Sequence, residues 1–220
     1  MIDIFSLLFP KSCYSCGKKI TVGYICDECI SELNIRTGVT IYNREIASEQ
    51  DDYFSFDLAY AVFPMSEVIR NLIHNFKYSD LPKIGAILGG FAKDFIIKTR
   101  IFSDTDFVLP VPLHKVKKRI RGFNQSEILA KKISKGLKFK LMSDLVLRKK
   151  FTRTQTKLTR KQRQENVADA FAFNKKFNIE GKNILLVDDV FTTGSTADSI
   201  SKVLRKNNPK KIYVLTIARA

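Results

Sequence analysis

No stretch of the sequence approaches the ~18 consecutive apolar residues that a membrane-spanning helix needs, so a transmembrane segment is not expected. No G-x-x-x-x-G-K occurs, which excludes a Walker-type phosphate loop. There is no internal repeat and no low-complexity tract, and no cysteine lies beyond Cys29. Histidine is scarce as well. His74 falls within an apolar helical pattern and reads as core or surface, which leaves His114, beside a basic run, as the better site candidate. Residues 1–10 are apolar (Ile2, Ile4, Phe5, Leu7, Leu8, Phe9), but they lack a basic leader and an A-x-A cleavage site. They are therefore expected to pack on the body as a short amphipathic segment rather than to act as a secretion signal, with shallow membrane contact as the alternative.

What the chain does have is enough apolar matter for one sizeable core: 220 residues, 45% hydrophobic, with 17 Phe. That suits a single α/β core with a small appendage. The net charge of +16 is concentrated in one place. Residues 111–163 hold 18 Lys/Arg against two acids, Glu127 and Asp144, and the rest of the chain is balanced. Such concentration suggests a polyanion partner. A small pyrophosphate, a nucleic-acid backbone and a merely solvated basic face remain open at this point.

All four cysteines lie in two Cys-x-x-Cys pairs, Cys13/Cys16 and Cys26/Cys29, with Gly17 and Gly23 at places suited to tight turns. Two such pairs complete a tetrahedral Cys₄ site, and four protein ligands leave no open position for catalysis. A structural Zn²⁺ is expected. Disulfide pairing is the alternative, disfavoured in a reducing cytoplasm.

Alternating strand and helix patterns predict a parallel sheet with crossovers. Strands are expected at Asp57–Phe63, Phe107–Val111, Ala168–Phe173, Ile184–Val187 and Ile212–Ile217. Helices are expected at Ser66–Lys77, Pro82–Lys98, within Gly122–Gly136 starting near Asn124 or Gln125, and from the Thr192–Thr196 loop to about Lys206. The most informative run is 184–196. An apolar strand ends in Asp188 and Asp189, then Thr192, Thr193, Gly194, Ser195 and Thr196 open a helix. Ligands of open α/β sheets bind outside the carboxyl ends of strands. Free N–H groups at a helix start favour an anion there, although the same run also fits an ordinary Ser/Thr helix cap.

A second motif, residues 111–125, follows another strand and is read as a basic loop. It contains His114, Lys115, Lys117, Lys118, Arg119 and Arg121, then Gly122, Phe123, Asn124 and Gln125. Arg121–Gly122 joins a rigid guanidinium fork to a residue that admits left-handed backbone. A third basic, hydroxyl-rich stretch runs through Arg153, Thr154, Thr156 and Lys157 to Arg163 and Asn166. It is read either as a loop that closes over substrate or as a solvated helix capped by Thr159.

Four apolar residues, two acids and a Thr-Gly-x-Thr loop resemble the PRPP-binding motif of type I phosphoribosyltransferases. That resemblance implies that Asp188 and Asp189 hold the ribose hydroxyls and that Thr192–Thr196 hold the 5′-phosphate, with Mg²⁺ accompanying PRPP. Pyrophosphate is then placed at Arg121 and Gly122, with Lys115 nearby. The Cys₄ knuckle, Arg121–Gln125, the Thr-x-x-Leu…Arg-x-x-Asn…Ala-Phe stretch and the Asp-Asp motif, in that order, are similar to the ComF/GntX family of bacterial competence proteins.

The resemblance implies a type I phosphoribosyltransferase fold, a parallel sheet flanked by helices, preceded by a zinc module. The expected layout is 1–33 zinc module, 34–56 connector and 57–220 phosphoribosyltransferase-like domain. It further implies a role in natural transformation, handling single-stranded DNA at the inner face of the inner membrane, with a DNA-translocating ATPase as partner and a cytoplasmic location. Thr192 stands where transferases of 6-oxopurines carry an Asp, which argues against such an acceptor. Two functions follow: an enzyme using a non-purine acceptor, or a single-stranded-DNA-binding protein without transfer. For DNA the candidates are Lys117, Lys118, Arg119, Lys149, Arg153 and Lys157, with Phe123 and Phe151 as stacking platforms. The catalytic residue itself is not assigned.

Overall fold

The computed structural model describes residues 11–33, 38–47, 54–78, 82–149 and 170–220. The expectations for residues 1–10, for Phe151, Arg153, Lys157 and the rest of the third basic stretch, and for Ala168 lie outside these.

The body is a six-stranded sheet in the order β3-β4-β10-β9-β5-β6. Its strands are β3 (Val39–Asn43), β4 (Leu58–Pro64), β5 (Phe107–Pro110), β6 (Lys140–Leu141), β9 (Asn183–Phe191) and β10 (Lys211–Arg219). From β4 to β6 the strands are parallel, and β3 adds an antiparallel edge. The central β9 and β10 are apolar almost throughout, as strands covered on both faces must be.

Strand alternation splits the interior into two layers. Leu185 and Val187 of β9 face α2 (Glu67–Tyr78), α3 (Pro82–Thr99) and α5 (Gln125–Leu137) in one core. Ile184 and Leu186 face α6 (Ser195–Arg205) and the small sheet of β7 (Val146–Arg148) and β8 (Phe171–Phe173) in the other. The amphipathic helix α2 buries Val68, Ile69, Leu72, Ile73 and Phe76, one helical stripe.

Three findings differ from the sequence reading. Phe171–Phe173 (β8) pairs antiparallel with Val146–Arg148 (β7) in a separate two-stranded sheet, and is not a strand of the parallel sheet. Its three residues are taken up by the ladder with β7, and Phe171 closes one core layer. The basic stretch after β5 is a helix, α4 (Lys115–Arg121), and not a loop. His114 Nδ1 caps it by accepting from Val116 N at 3.2 Å, and Gly122 at φ 76° ends it, so the two ends supply what its like charges oppose. Finally, the polar stretch read as a connector contributes β3, which pairs with β4.

The N-terminal module is a β1–β2 hairpin (Lys11–Ser12, Lys19–Ile20) followed by α1 (Asp27–Ser31). It packs on α2. Asn75 Nδ2 donates to Tyr14 O at 2.8 Å, and Ser15 Oγ donates to Val68 O at 3.4 Å. Cys13, Ile25, Cys26 and Cys29 belong to the same buried cluster as Val68 and Leu72.

Candidate functional site

β9 runs beyond the expected Val187, and both aspartates lie within it. Consecutive strand residues point to opposite faces, and here they do. Asp188 faces the Thr192–Thr196 loop and lines a narrow cavity of about 50 Å³ with Thr192, Thr193, Ser195 and Thr196. Asp189 faces α2, where its Oδ2 lies 2.8 Å from Lys77 Nζ. The sequence reading gave the two acids one role; the structure gives them different neighbours.

The loop is built for close approach. Gly194 sits at φ 75°, and a Cβ there would lie 2.7 Å from the Phe191 ring and 2.9 Å from that of Phe54. The cap residue Gly194 has no side chain to bond the first turn of α6, whose opening N–H, that of Ser195, donates weakly to Thr193 Oγ1 at 3.5 Å. Thr193 Oγ1 and Ser195 Oγ share a hydrogen bond of 2.6 Å.

The Arg121–Ser126 segment joins β5 to Asp188 one residue at a time. Arg121 donates to Gln125 Oε1 at 3.3 Å, and its guanidinium lies 5.5 Å from the Tyr78 ring centroid. Gly122 turns the chain, and Phe123 stacks on Phe76 at 5.6 Å. Asn124 caps α5 through Ser126 N at 3.2 Å and donates to Val111 O at 3.0 Å. Ser126 Oγ then donates to Asp188 Oδ1 at 2.7 Å. Phe123, a candidate stacking platform, is thus half-buried against the core.

Burial, and then the Asp189 charge, push the Asp188 carboxyl up to about 7, against the pull of Ser126, the Asp189 N–H and Lys77. Positive groups gather around it. The Asp188 charge acts on the half-buried Arg148 guanidinium, which lies 5.3 Å from the Phe171 ring centroid. The Lys117 ammonium is held below its usual range by burial first, then by Arg148, Arg121 and Lys77. The ends of α2 and α4 form a second cavity of about 660 Å³, open to solvent and lined in part by Lys77, Lys117, Arg119 and Arg121. Lys115, Lys118 and Lys149 are exposed and line neither cavity, and Lys118 pairs with Glu127 at 3.5 Å.

Sequence reasoning missed Lys77, Tyr78, Ser126 and Arg148. The available signals were a lysine and an aromatic closing an otherwise amphipathic helix, and an arginine closing the short strand Val146–Arg148.

The four cysteine sulfurs lie within 4.8 Å of one another. Cys16 Sγ and Cys26 Sγ are 3.7 Å apart, far from a disulfide's ~2.05 Å and close to the edge of a tetrahedron with metal–sulfur bonds of about 2.3 Å. Cys13 Sγ accepts from Ser15 N at 3.4 Å and Cys26 N at 3.3 Å. Burial opposes the Cys13 thiolate, but N–H groups of Cys16, Cys26 and Ser15 outweigh it and bring the thiol down to about 6. The donor set fits a metal.

Residues 124–220 match the phosphoribosyl transferase domain family. Competence protein F of Haemophilus influenzae is 31% identical over 94% of this chain and 90% of its own length. Competence protein ComFC of Bacillus subtilis is 27% identical over 96% and 85%. DNA utilization protein YhgH of Escherichia coli K12 is 31% identical over 67% of this chain and 66% of its own length.

Proposed function

We infer the function from a plain premise: the chain belongs to the ComF/GntX family of phosphoribosyltransferase-domain competence proteins. Its role is in competence and the use of incoming DNA, and its ligand is PRPP. The observation that carries the ligand is Asp188, held by Ser126 at the rim of a cavity walled by Thr192–Thr196 at a helix N-terminus. The N–H groups and hydroxyls of that loop suit a 5′-phosphate. One oxygen of Asp188 accepts from both the Ser126 hydroxyl and the Asp189 N–H, and the other suits a ribose hydroxyl. Lys117, Arg121 and Arg148 supply the positive field for pyrophosphate. Mg²⁺ would accompany PRPP and neutralise pyrophosphate charge. The four cysteines hold a structural Zn²⁺, whose chemistry is closed because all four ligands are protein sulfurs.

A second activity, binding of single-stranded DNA, is favoured by α4. It carries five cations and buries no residue, and Val116 and Ile120 are exposed. A backbone-tracking surface has this form. It suits a protein that handles DNA at the inner face of the membrane beside a translocating ATPase; no helix among the described residues is long and apolar enough to cross a membrane.

Calorimetry with PRPP, with and without Mg²⁺, tests the first reading. Asp188→Asn and Thr193→Val should each weaken PRPP at least about tenfold, about 1.4 kcal/mol, and unchanged affinity in both would refute it. Pyrophosphate release with each candidate acceptor decides whether transfer follows binding.

A further inference from the structure

The cavity between the ends of α2 and α4 is much larger than anything pyrophosphate requires, about 660 Å³ against about 50 Å³ for the cavity at the Thr192–Thr196 loop. That volume lies in the range of sites for a whole small organic ligand. Its lining has a definite chemistry. Lys77, Lys117, Arg119 and Arg121 line it, and no carboxylate does so among the described residues. Between these cations stand Tyr78 and Ile120, which are 65% and 79% exposed.

Lys77 is neutralised by Asp189, which leaves an aromatic ring and a branched aliphatic in water beside Lys117, Arg119 and Arg121, unfavourable on both counts. Burial and the charges of Arg148, Arg121 and Lys77 all disfavour the charged form of Lys117, so an anion in this cavity would meet a concentrated positive field. The Arg121 guanidinium lies over the Tyr78 ring while Gln125 holds it from behind, so its donors are presented at the edge of an aromatic plate.

We propose that this cavity binds a ligand joining a planar ring to an anionic group, the ring lying on Tyr78 and Ile120 and the anion on Arg119, Arg121 and Lys117. A mononucleotide has this chemistry. The site is distinct from the 5′-phosphate loop at Thr192–Thr196, and the proposal does not require that loop to hold PRPP.

The test is equilibrium binding of AMP and CMP to the full chain, beside adenosine, cytidine and pyrophosphate. Both nucleotides should bind at least tenfold more tightly than their nucleosides. Tyr78→Ala should weaken the nucleotides at least tenfold and pyrophosphate less than twofold, while Tyr78→Phe stays within twofold of the parent. Arg119→Gln should weaken nucleotide binding severalfold and Thr193→Val should not. Three results would each overturn the proposal: nucleotide affinity indifferent to Tyr78→Ala, pyrophosphate losing as much as the nucleotides do, or Thr193→Val weakening nucleotides where Arg119→Gln is silent. Failure of the PRPP reading shows instead as PRPP affinity indifferent to Asp188→Asn, which leaves these measurements intact.

Discussion

Lys77 Nζ lies 2.8 Å from Asp189 Oδ2 and ties the last turn of α2 to the central strand of the sheet. Both groups are largely buried, with Lys77 23% and Asp189 12% exposed. Removing one partner of such a pair leaves the other poorly solvated. Lys77→Met should therefore destabilise the fold by about 1–3 kcal/mol, read as a lowered urea midpoint, and should weaken PRPP as well. A midpoint equal to the parent's would show that the pair contributes nothing.

Asp188 gives a pH signature. With its carboxyl pushed up to about 7, it carries a proton at pH 6 and is charged at pH 8. Only the charged form accepts hydrogen bonds at both oxygens, so Mg²⁺–PRPP affinity should rise between pH 6 and 8. Asp188→Asn should flatten that rise. Stability runs the other way. The folded chain keeps a proton that the unfolded chain loses near pH 4, so this contribution is present below about pH 4, declines as pH rises to about 7 and is level above. Urea titrations across that window, parent against Asp188→Asn, check the slope.

Gly194→Ala places a methyl against Phe191 and Phe54 at a left-handed position. It should cost about 1–3 kcal/mol in strain alone and weaken phosphate binding. A fully active, equally stable Ala variant would mean that the loop relaxes freely.

Arg121→Lys keeps the charge but loses the fork that meets Gln125 and the Tyr78 ring. PRPP affinity should fall at least about tenfold, 1.4 kcal/mol, whereas single-stranded DNA affinity should change little, since many similar cations share a nucleic-acid backbone. PRPP binding that follows net charge alone would move pyrophosphate to another part of the basic region.

For the cysteines, metal analysis should return one Zn²⁺ per chain. Cys13→Ser or Cys29→Ser should lose it and destabilise the chain, because binding at such a site contributes folding free energy. Four thiols that all react freely in the native protein would rule the site out.

Much of the frame was readable in the sequence because each signal was local. The apolar run ending in Asp188 and Asp189 marked a buried strand, and Asn124 marked the start of α5. What stayed hidden depended on contacts between distant segments. Lys77 and Asp189 are far apart in sequence, and nothing near Lys77 announces an ion pair. Arg148 feels the Asp188 charge from a strand whose partner, Phe171–Phe173, looked like part of the main sheet. α4 was masked by its own charge, since five cations in so short a run read as loop until the caps at His114 and Gly122 are seen. The opposite orientation of the two aspartates follows from strand alternation once the strand is known to extend to Phe191.

The docking of the cysteine module on α2 sets how far the protein can be shortened. Ser15 and Tyr14 hold that helix through Val68 and Asn75, and the cysteines share its buried cluster. A chain beginning after residue 33 would uncover an oily strip along Val68 and Leu72. It would be expected to self-associate during expression, even with every residue of the phosphoribosyltransferase domain intact. The boundary between module and body that is apparent in the sequence is therefore a poor place to cut.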